Sequence, residues 1–414
     1  MKLPPYIKNY ENFKPGQDVV LYSGPYWDHQ EIEAGVKAFT EGAWLPSGEK
    51  VAEFQDTFAK MFNTKFSHMV NSGSSANLVM ITALKKYFDW QDGDEIIVSP
   101  VGFPTTIAPI VQNNLKPVFI DIEMDTLNFD VELIEKAITS RTRAIIVSPV
   151  LGNPPDMDKI DAICTKYGLK LIGDNCDSLG TKFNYKHINE YYFAWSCSFY
   201  PAHHISTGEG GMISSNAEDF MNIVRSVSWW GRDCYCVGAN NTLLCGTCGK
   251  RFDYWLDQYD GIVDHKYVFS NIGYNLKPLD MQGAIGLVQL SKMDMIDYKR
   301  RFYKHMIESY LSKIDGVRVA NYLPESDPSW FGVPIICESQ ELKEMLVAHF
   351  EGNKIQTRSY FAGNILLHPG YKHLGDYKEY PNANKALSHV FFLGCTPVFT
   401  EPVLKYIEEV INKW

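Results

Sequence analysis

Two adjacent histidines, His203 and His204, sit in a loop that opens with Ser198-Phe199 and closes with Gly208-Glu209-Gly210-Gly211. With an ordinary pKa of about 6.5, imidazole is the side chain best suited to taking and returning a proton near neutral pH. Taken alone, a pair of loop histidines is more often a surface feature than a catalytic one. Upstream, Gly173-Asp174-Asn175-Cys176-Asp177 sets two carboxyls and a thiol within four residues at the end of an apolar run. Earlier still, the small-residue turn Asn71-Ser72-Gly73-Ser74-Ser75-Ala76-Asn77 separates His68-Met69-Val70 from the apolar Leu78-Val79-Met80-Ile81. A strand, such a turn and a helix start offer free N–H groups and a positive helix end to a phosphate, although a plain N-cap run of serines has the same composition. Finally, Cys234, Cys236, Cys245 and Cys248 fall within fifteen residues. Four thiolates suit zinc or an iron–sulfur cluster; at this density unrelated packing cysteines are the weaker explanation.

These groups need elements to carry them. Apolar runs at 95–99, 117–120, 144–147 and 170–173 read as buried strands, and Met157 to Tyr167 between them reads as a helix. Val51, Phe54, Phe58 and Met61 recur at helical spacing, which predicts a helix from about Glu49; residues 217–230 read as another. A helix is expected from about Gln282 through Met293 to about Tyr310, and Trp330 to Ile336 as the clearest later strand. Strand–helix alternation predicts a largely parallel sheet covered on both faces. Ligands of such sheets collect at the carboxyl ends of the strands, where these motifs fall. The chain divides into an arm (1–40), a large domain (41–290, including the cysteine-rich loop 231–252) and a small C-terminal domain (291–414).

Bulk properties narrow the function. A chain of 414 residues predicts one large and one smaller domain. A net charge of −10 argues against a nucleic-acid partner held by a basic field, while leaving room for a small ligand in a local pocket. No apolar run approaches the roughly 18 residues of a membrane span. Met1-Lys2-Leu3-Pro4-Pro5 lacks the apolar stretch of a signal peptide. A cytoplasmic setting is therefore expected, with the nine cysteines reduced and used for ligation or packing.

The stretch from Ser198 to Gly211 resembles the cofactor loop of the DegT/DnrJ/EryC1/StrS aminotransferase family: Ser-Phe, three residues, Lys, then Gly-Glu-Gly-Gly. In that family the Lys forms a Schiff base with pyridoxal phosphate. Here its position holds His203. Imidazole makes no stable imine, so the resemblance implies the amine form, pyridoxamine phosphate, held without a covalent bond. His203 would act as general base, assisted by Tyr200. Within the family this departure marks the 3-dehydrases of nucleotide-linked 4-keto sugars. Carried over residue by residue, the pattern implies that Gly73 and Ser74 hold the cofactor phosphate and that Phe103 stacks on the pyridine. Asp174 would keep the ring nitrogen protonated, making the ring an electron sink. Asp177 would lie near the phenolic oxygen, and Ser198 belongs to the same cofactor pattern. Asn275, in Ser270-Asn271-Ile272-Gly273-Tyr274-Asn275, would reach the phosphate of a neighbouring subunit, which implies a homodimer with shared sites. The implied fold is aspartate-aminotransferase-like (fold type I), α/β, with a smaller C-terminal α/β domain. The resemblance covers roughly residues 40–414.

The cysteines extend the resemblance. Cys176, fifty-seven residues, Cys234, one residue, Cys236 is similar to the ligand spacing of the iron–sulfur 3-dehydrases. Their fourth ligand precedes Lys-Arg-Phe, which here selects Cys248, with Cys245 as the alternative in a longer loop. A redox-inert ion has little use beside such a cofactor, whereas an electron donor does. The implied activity is C3 deoxygenation of a nucleotide-linked 4-keto-6-deoxyhexose. It would depend on pyridoxamine phosphate and a [2Fe–2S] cluster, with electrons from a separate NAD(P)H-dependent flavin iron–sulfur reductase. Two alternatives stand: a cluster-free dehydratase refilled from glutamate, and a zinc-bound regulatory protein on the same fold. The nucleotide (CDP, TDP or GDP) and the hexose remain open.

Overall fold

The structure, a computed structural model, describes residues 12–42, 44–234 and 251–414. The chain opens with α1 (His29–Glu41) and α2 (Glu49–Met61), then alternates β1 (Phe66–Val70), α3 (Gly73–Tyr87), β2 (Glu95–Val98), α4 (Pro104–Gln112), β3 (Lys116–Phe119), a short α5 (Ile134–Ala137), β4 (Thr142–Val147), α6 (Met157–Tyr167) and β5 (Lys170–Asp174). Two short strands, β6 (Lys182–Phe183) and β7 (Lys186–His187), precede β8 (Ala194–Ser198), β9 (Gly211–Ser215) and α7 (Glu218–Ser228). Beyond the cysteine-rich loop come the ribbon β10 (Phe252–Asp253) and β11 (Val263–Asp264), then α8 (Asp280–Ser291) and α9 (Met293–Leu311).

A seven-stranded sheet in the order β1-β9-β8-β5-β4-β2-β3 carries the site. The pairs β2–β3, β2–β4, β4–β5 and β5–β8 are parallel, and only β9 runs against its neighbours β1 and β8. The pleat sends alternate residues to two different cores, as strands buried on both faces require. Ile97, Ile145, Leu171 and Trp195 pack with Phe54, Phe58 and Ile160 of α2 and α6. Ile96, Ile146, Ile172 and Ala194 pack with Val79, Ile107 and Val224 of α3, α4 and α7. The largely parallel, doubly covered sheet expected from the apolar runs is therefore what the chain forms.

The remaining elements are β12 (Val317–Val319), β13 (Ser326–Asp327), β14 (Gly332–Cys337), α10 (Gln340–Gly352), β15 (Thr357–Ser359), α11 (Pro381–His389), β16 (Val390–Gly394) and α12 (Glu401–Ile411). Strands β12-β14-β16-β15 form a second, antiparallel sheet. Its core joins α9, α10 and α12 with Phe13 and Val20 from the start of the described chain.

Three boundaries differ from the sequence expectation. The helix expected to begin at Leu78 starts at Gly73, because Ser72 caps it by accepting from the Ser75 N–H. The helix expected over 217–230 ends at Ser228, and Trp230 turns out with φ at +59°. The single long helix expected from about Gln282 to Tyr310 is two, α8 and α9, broken at Lys292. The Lys292 ammonium lies 2.7 Å from Glu31 and 3.0 Å from Asp28 of the α1 segment. Among the described residues no helix is long and apolar enough to cross a membrane.

Candidate active site

Where β1 ends, the main chain turns through Ser72 into α3, whose first N–H groups have no partner within the helix. The start of α3 meets the end of β8 at very close range. A Cβ on Gly73 would come within 2.4 Å of Ser198 Cβ, and one on Gly211 within 2.3 Å of the Ser72 carbonyl. Only glycine permits that approach, which leaves Ser72, Gly73, Ser74 and Ser198 at one end of a cavity of about 460 Å³. That volume falls in the usual range for small-molecule sites.

The floor is Asp174, the last residue of β5 and 4% exposed. Its Oδ2 accepts from Asn77 Nδ2 at 2.8 Å and Thr106 Oγ1 at 2.7 Å, and its Oδ1 from the Cys176 N–H at 3.2 Å. Asn77 is itself held by the Ser196 hydroxyl. These bonds fix the carboxyl plane from three sides. Phe103, at the N-cap of α4 and half-exposed, Phe331 and Phe361 supply the apolar walls. The Phe361 ring lies 6.2 Å from Phe103 and 6.1 Å from Phe331, edge-on to both.

His203 enters the cavity from the loop after β8, with Asp177 Oδ1 3.4 Å from its Nδ1 and the Phe331 ring 5.4 Å from its own. Burial and the nearby Arg300 charge push its pKa down to about 3, while the Cys176 carbonyl opposes the shift. The imidazole is thus held neutral, the form that can accept a proton. Burial and the proximity of Asp174 push Asp177 up to about 7. Tyr200 lines the same cavity, half-exposed, with its ring 6.3 Å from His203. His204 does not line it; its Nε2 pairs with the Ser329 carbonyl at 2.9 Å.

One cavity therefore gathers Gly73, Ser74, Phe103, Asp174, Cys176, Asp177, Ser198, Tyr200 and His203 from segments 130 residues apart, and among the described residues no lysine lines it. Asn275 and Cys234 are not brought there within the chain. Asn275 bridges to Trp229 and accepts from Lys277, while Cys234 is buried beside Asp233, which pairs with His265. Burial and the neighbouring Asp174 push the Cys176 thiol well up, so a metal binding there must displace its proton. Cys236, Cys245 and Cys248 lie outside the described residues, and among the described residues no three potential ligands converge on a metal-sized space.

Sequence reasoning missed the second layer. Asn77 and Thr106 hold Asp174, Tyr22 reaches the cavity from the N-terminal segment, and Phe361 comes from a loop far along the chain. Asn77 lay inside the small-residue turn already singled out. Tyr22 and Phe361 carry no local signal.

The sequence profile described as the DegT/DnrJ/EryC1/StrS aminotransferase family matches residues 27–412. A dTDP-4-dehydro-2,6-dideoxy-D-glucose 3-dehydratase of Saccharopolyspora spinosa is 38% identical over 412 residues, covering 97% of this chain and 88% of that one. A lipopolysaccharide biosynthesis protein of Salmonella typhimurium is 36% identical, covering 95% and 91%. Among solved structures, Escherichia coli GDP-4-keto-6-deoxy-D-mannose 3-dehydratase with bound hydrated pyridoxal phosphate superposes with a TM-score of 0.82 at 29% identity, covering 95% of this chain and all of that one.

Proposed function

The chain belongs to the DegT/DnrJ/EryC1/StrS aminotransferase family and has its aspartate-aminotransferase-like fold, and we propose that it is a 3-dehydrase that removes the C3 hydroxyl of a nucleotide-linked 4-keto-6-deoxyhexose. One observation carries this reading: the cavity that holds Asp174 presents a largely enclosed neutral imidazole, His203, and no lysine among the described residues. Transamination through a covalently held cofactor needs that lysine; proton removal needs only the imidazole.

The cavity suits pyridoxamine phosphate. Gly73 and Ser74 would hold the phosphate at the start of α3, Phe103 would stack on the ring, and Asp174 would pair with the ring nitrogen. When bound, this cofactor supplies the amine that condenses with the C4 ketone and a ring that takes up electrons. His203 then moves the proton at the cofactor C4′ atom, and Tyr200 assists in the proton chemistry that releases the C3 hydroxyl. Asp177, beside His203, lies where the phenolic oxygen is expected. Asn275 would serve the phosphate of a partner subunit in a homodimer, a reading supported by its place outside its own chain's cavity.

Reduction to the 3-deoxy sugar requires electrons. Cys176, Cys234, Cys236 and Cys248 would hold a [2Fe–2S] cluster, which supplies them singly from an NAD(P)H-dependent flavin iron–sulfur reductase. Cys176 on the cavity wall, two residues beyond Asp174, supports this placement. The second reading is a cluster-free enzyme refilled from glutamate, favoured by the likeness to a solved GDP-4-keto-6-deoxymannose 3-dehydratase with a trapped pyridoxal phosphate–glutamate geminal diamine.

Anaerobically purified protein loaded with pyridoxamine phosphate and given CDP-, TDP- and GDP-linked 4-keto-6-deoxyhexoses separates the two. The first reading expects iron, sulfide and 3-deoxy product only with reductase and NAD(P)H. Turnover with glutamate alone establishes the second. Stoichiometric zinc with no turnover would leave a regulatory protein on this fold.

A further inference from the structure

Arg300 lies on α9 with no solvent exposure, on a buried face it shares with Met293, Ile296, Tyr303, Ile307 and Lys304, the last paired with Glu308. A guanidinium buried without a carboxylate partner is costly, and among the described residues no carboxylate lies within 4.0 Å of it. Its Nη donors go instead to four main-chain carbonyls on two segments; its Nε has no hydrogen-bond partner, and the more distant Asp297 and Asp177 and the Cys395 side chain favour its charge. Nη2 donates to His203 O at 3.0 Å and Ala202 O at 3.5 Å; Nη1 donates to Phe331 O at 3.2 Å and Trp330 O at 3.3 Å. A planar fork of fixed donors can span two segments in a way that a lysine ammonium cannot.

The two segments carry the imidazole and the aromatic wall beside it. The His203 loop belongs to no helix or strand, so its carbonyls have no ladder partners; Ala202 O accepts from Ser23 Oγ at 2.6 Å as well as from Arg300, and His203 O accepts from Arg300. The ring meets Asp177 Oδ1 at 3.4 Å from its Nδ1 and also the Cys176 carbonyl, and neither contact holds its main chain. The main chain is held where the His203 N–H bonds Tyr200 O at 3.0 Å and the His203 carbonyl accepts from Arg300.

We propose that Arg300 is a positioning residue for proton transfer at His203, its guanidinium clamping the Ala202 and His203 carbonyls to those of Trp330 and Phe331 and so holding the imidazole in register with the cavity. This rests on the reading of His203 as the base. Arg300 touches neither cofactor nor substrate and acts through His203.

The test is a double-mutant cycle read by tritium release from C4′ of bound pyridoxamine phosphate in the presence of substrate. R300K keeps the charge and loses the fork. It is expected to bind cofactor as the parent does and to lose about 10- to 100-fold in exchange rate, since displacements of about 1 Å cost that much. In an H203N background, R300K should cause no further loss, because its effect runs through the imidazole. R300Q, which lacks the charge and keeps two donors, should fall between R300K and the parent. A merely structural role predicts equal losses in both backgrounds, tracking the cofactor-loaded fraction, and overturns the proposal. Parental exchange in R300K also overturns it. If H203N itself exchanges normally, the proposed function falls instead; if H203N fails and R300K does not, the Arg300 role alone falls. Should neither Arg300 variant fold, a crystal structure of the parent with pyridoxamine phosphate decides: the guanidinium must hold the His203 carbonyl, and a guanidinium turned away from it contradicts the proposal.

Discussion

His203 and His204 are neighbours in the chain and face opposite ways: the first lines the cavity 5.4 Å from the Phe331 ring, and the second turns its Nε2 to the Ser329 carbonyl at 2.9 Å. Their roles should separate accordingly. His204→Leu leaves a buried carbonyl without its donor, which costs about 1–3 kcal/mol of stability. Exchange at C4′ per folded molecule should be unchanged. Lost exchange with unchanged stability in this variant would place the base at the wrong histidine.

His203 in place of the family's lysine, with no lysine lining the cavity among the described residues, predicts a noncovalent cofactor. Protein loaded with pyridoxal phosphate and treated with borohydride should carry no reduced adduct in the 198–211 peptide by mass spectrometry. A phosphopyridoxyl group on that peptide would overturn the substitution argument.

Cys234→Ser tests the cluster reading apart from the proton chemistry. Serine preserves size and ligates iron poorly. The variant should lose iron and all reductase-dependent 3-deoxy product, yet still release C4′ tritium when given substrate. An iron-free variant that still makes the 3-deoxy sugar from reductase electrons contradicts the ligand assignment.

His68 gives the fold itself a pH signature. Burial, with Arg225 nearby, pushes its pKa down to about 3, and its Nε2 is held by the Ser228 hydroxyl at 2.8 Å. The folded value lies below the unfolded one of about 6.5. Between these values the unfolded chain binds a proton that the folded chain does not. The stability contributed by the neutral ring is therefore full above pH 6.5 or so and is lost as pH falls toward 3, by at most about 1.4 kcal/mol per pH unit. His68→Gln removes this dependence. Denaturant midpoints from pH 7 to 4 should show the parent losing ground to the variant; parallel profiles would refute it.

Much of this architecture was legible because a parallel sheet buried on both faces needs continuous apolar runs, and β2, β4 and β5 lie where those runs are. The reversal of β9 was not. Met212-Ile213 reads alike in either direction, and the only sign is that the connection from Ser198 to Gly211 carries no helical period for a parallel crossover. The break between α8 and α9 was hidden because apolar spacing continues through it; what coincides with it is Lys292 pairing with Glu31, distant in sequence. The motif residues were legible because they stand beside glycines and strand ends with local patterns. Arg300 was not: within Lys299-Arg300-Arg301 it looks like a solvated face, and only the tertiary structure shows it buried behind the loop that carries His203.

The central claim is that His203, in place of a lysine, moves the proton at C4′. It is tested most directly by C4′ tritium release from bound pyridoxamine phosphate, with substrate and without reductase, in His203→Asn against the parent. The account predicts release in the parent and a loss of roughly 10²–10⁴-fold in the variant with cofactor still bound. Release at the parental rate from His203→Asn would contradict it.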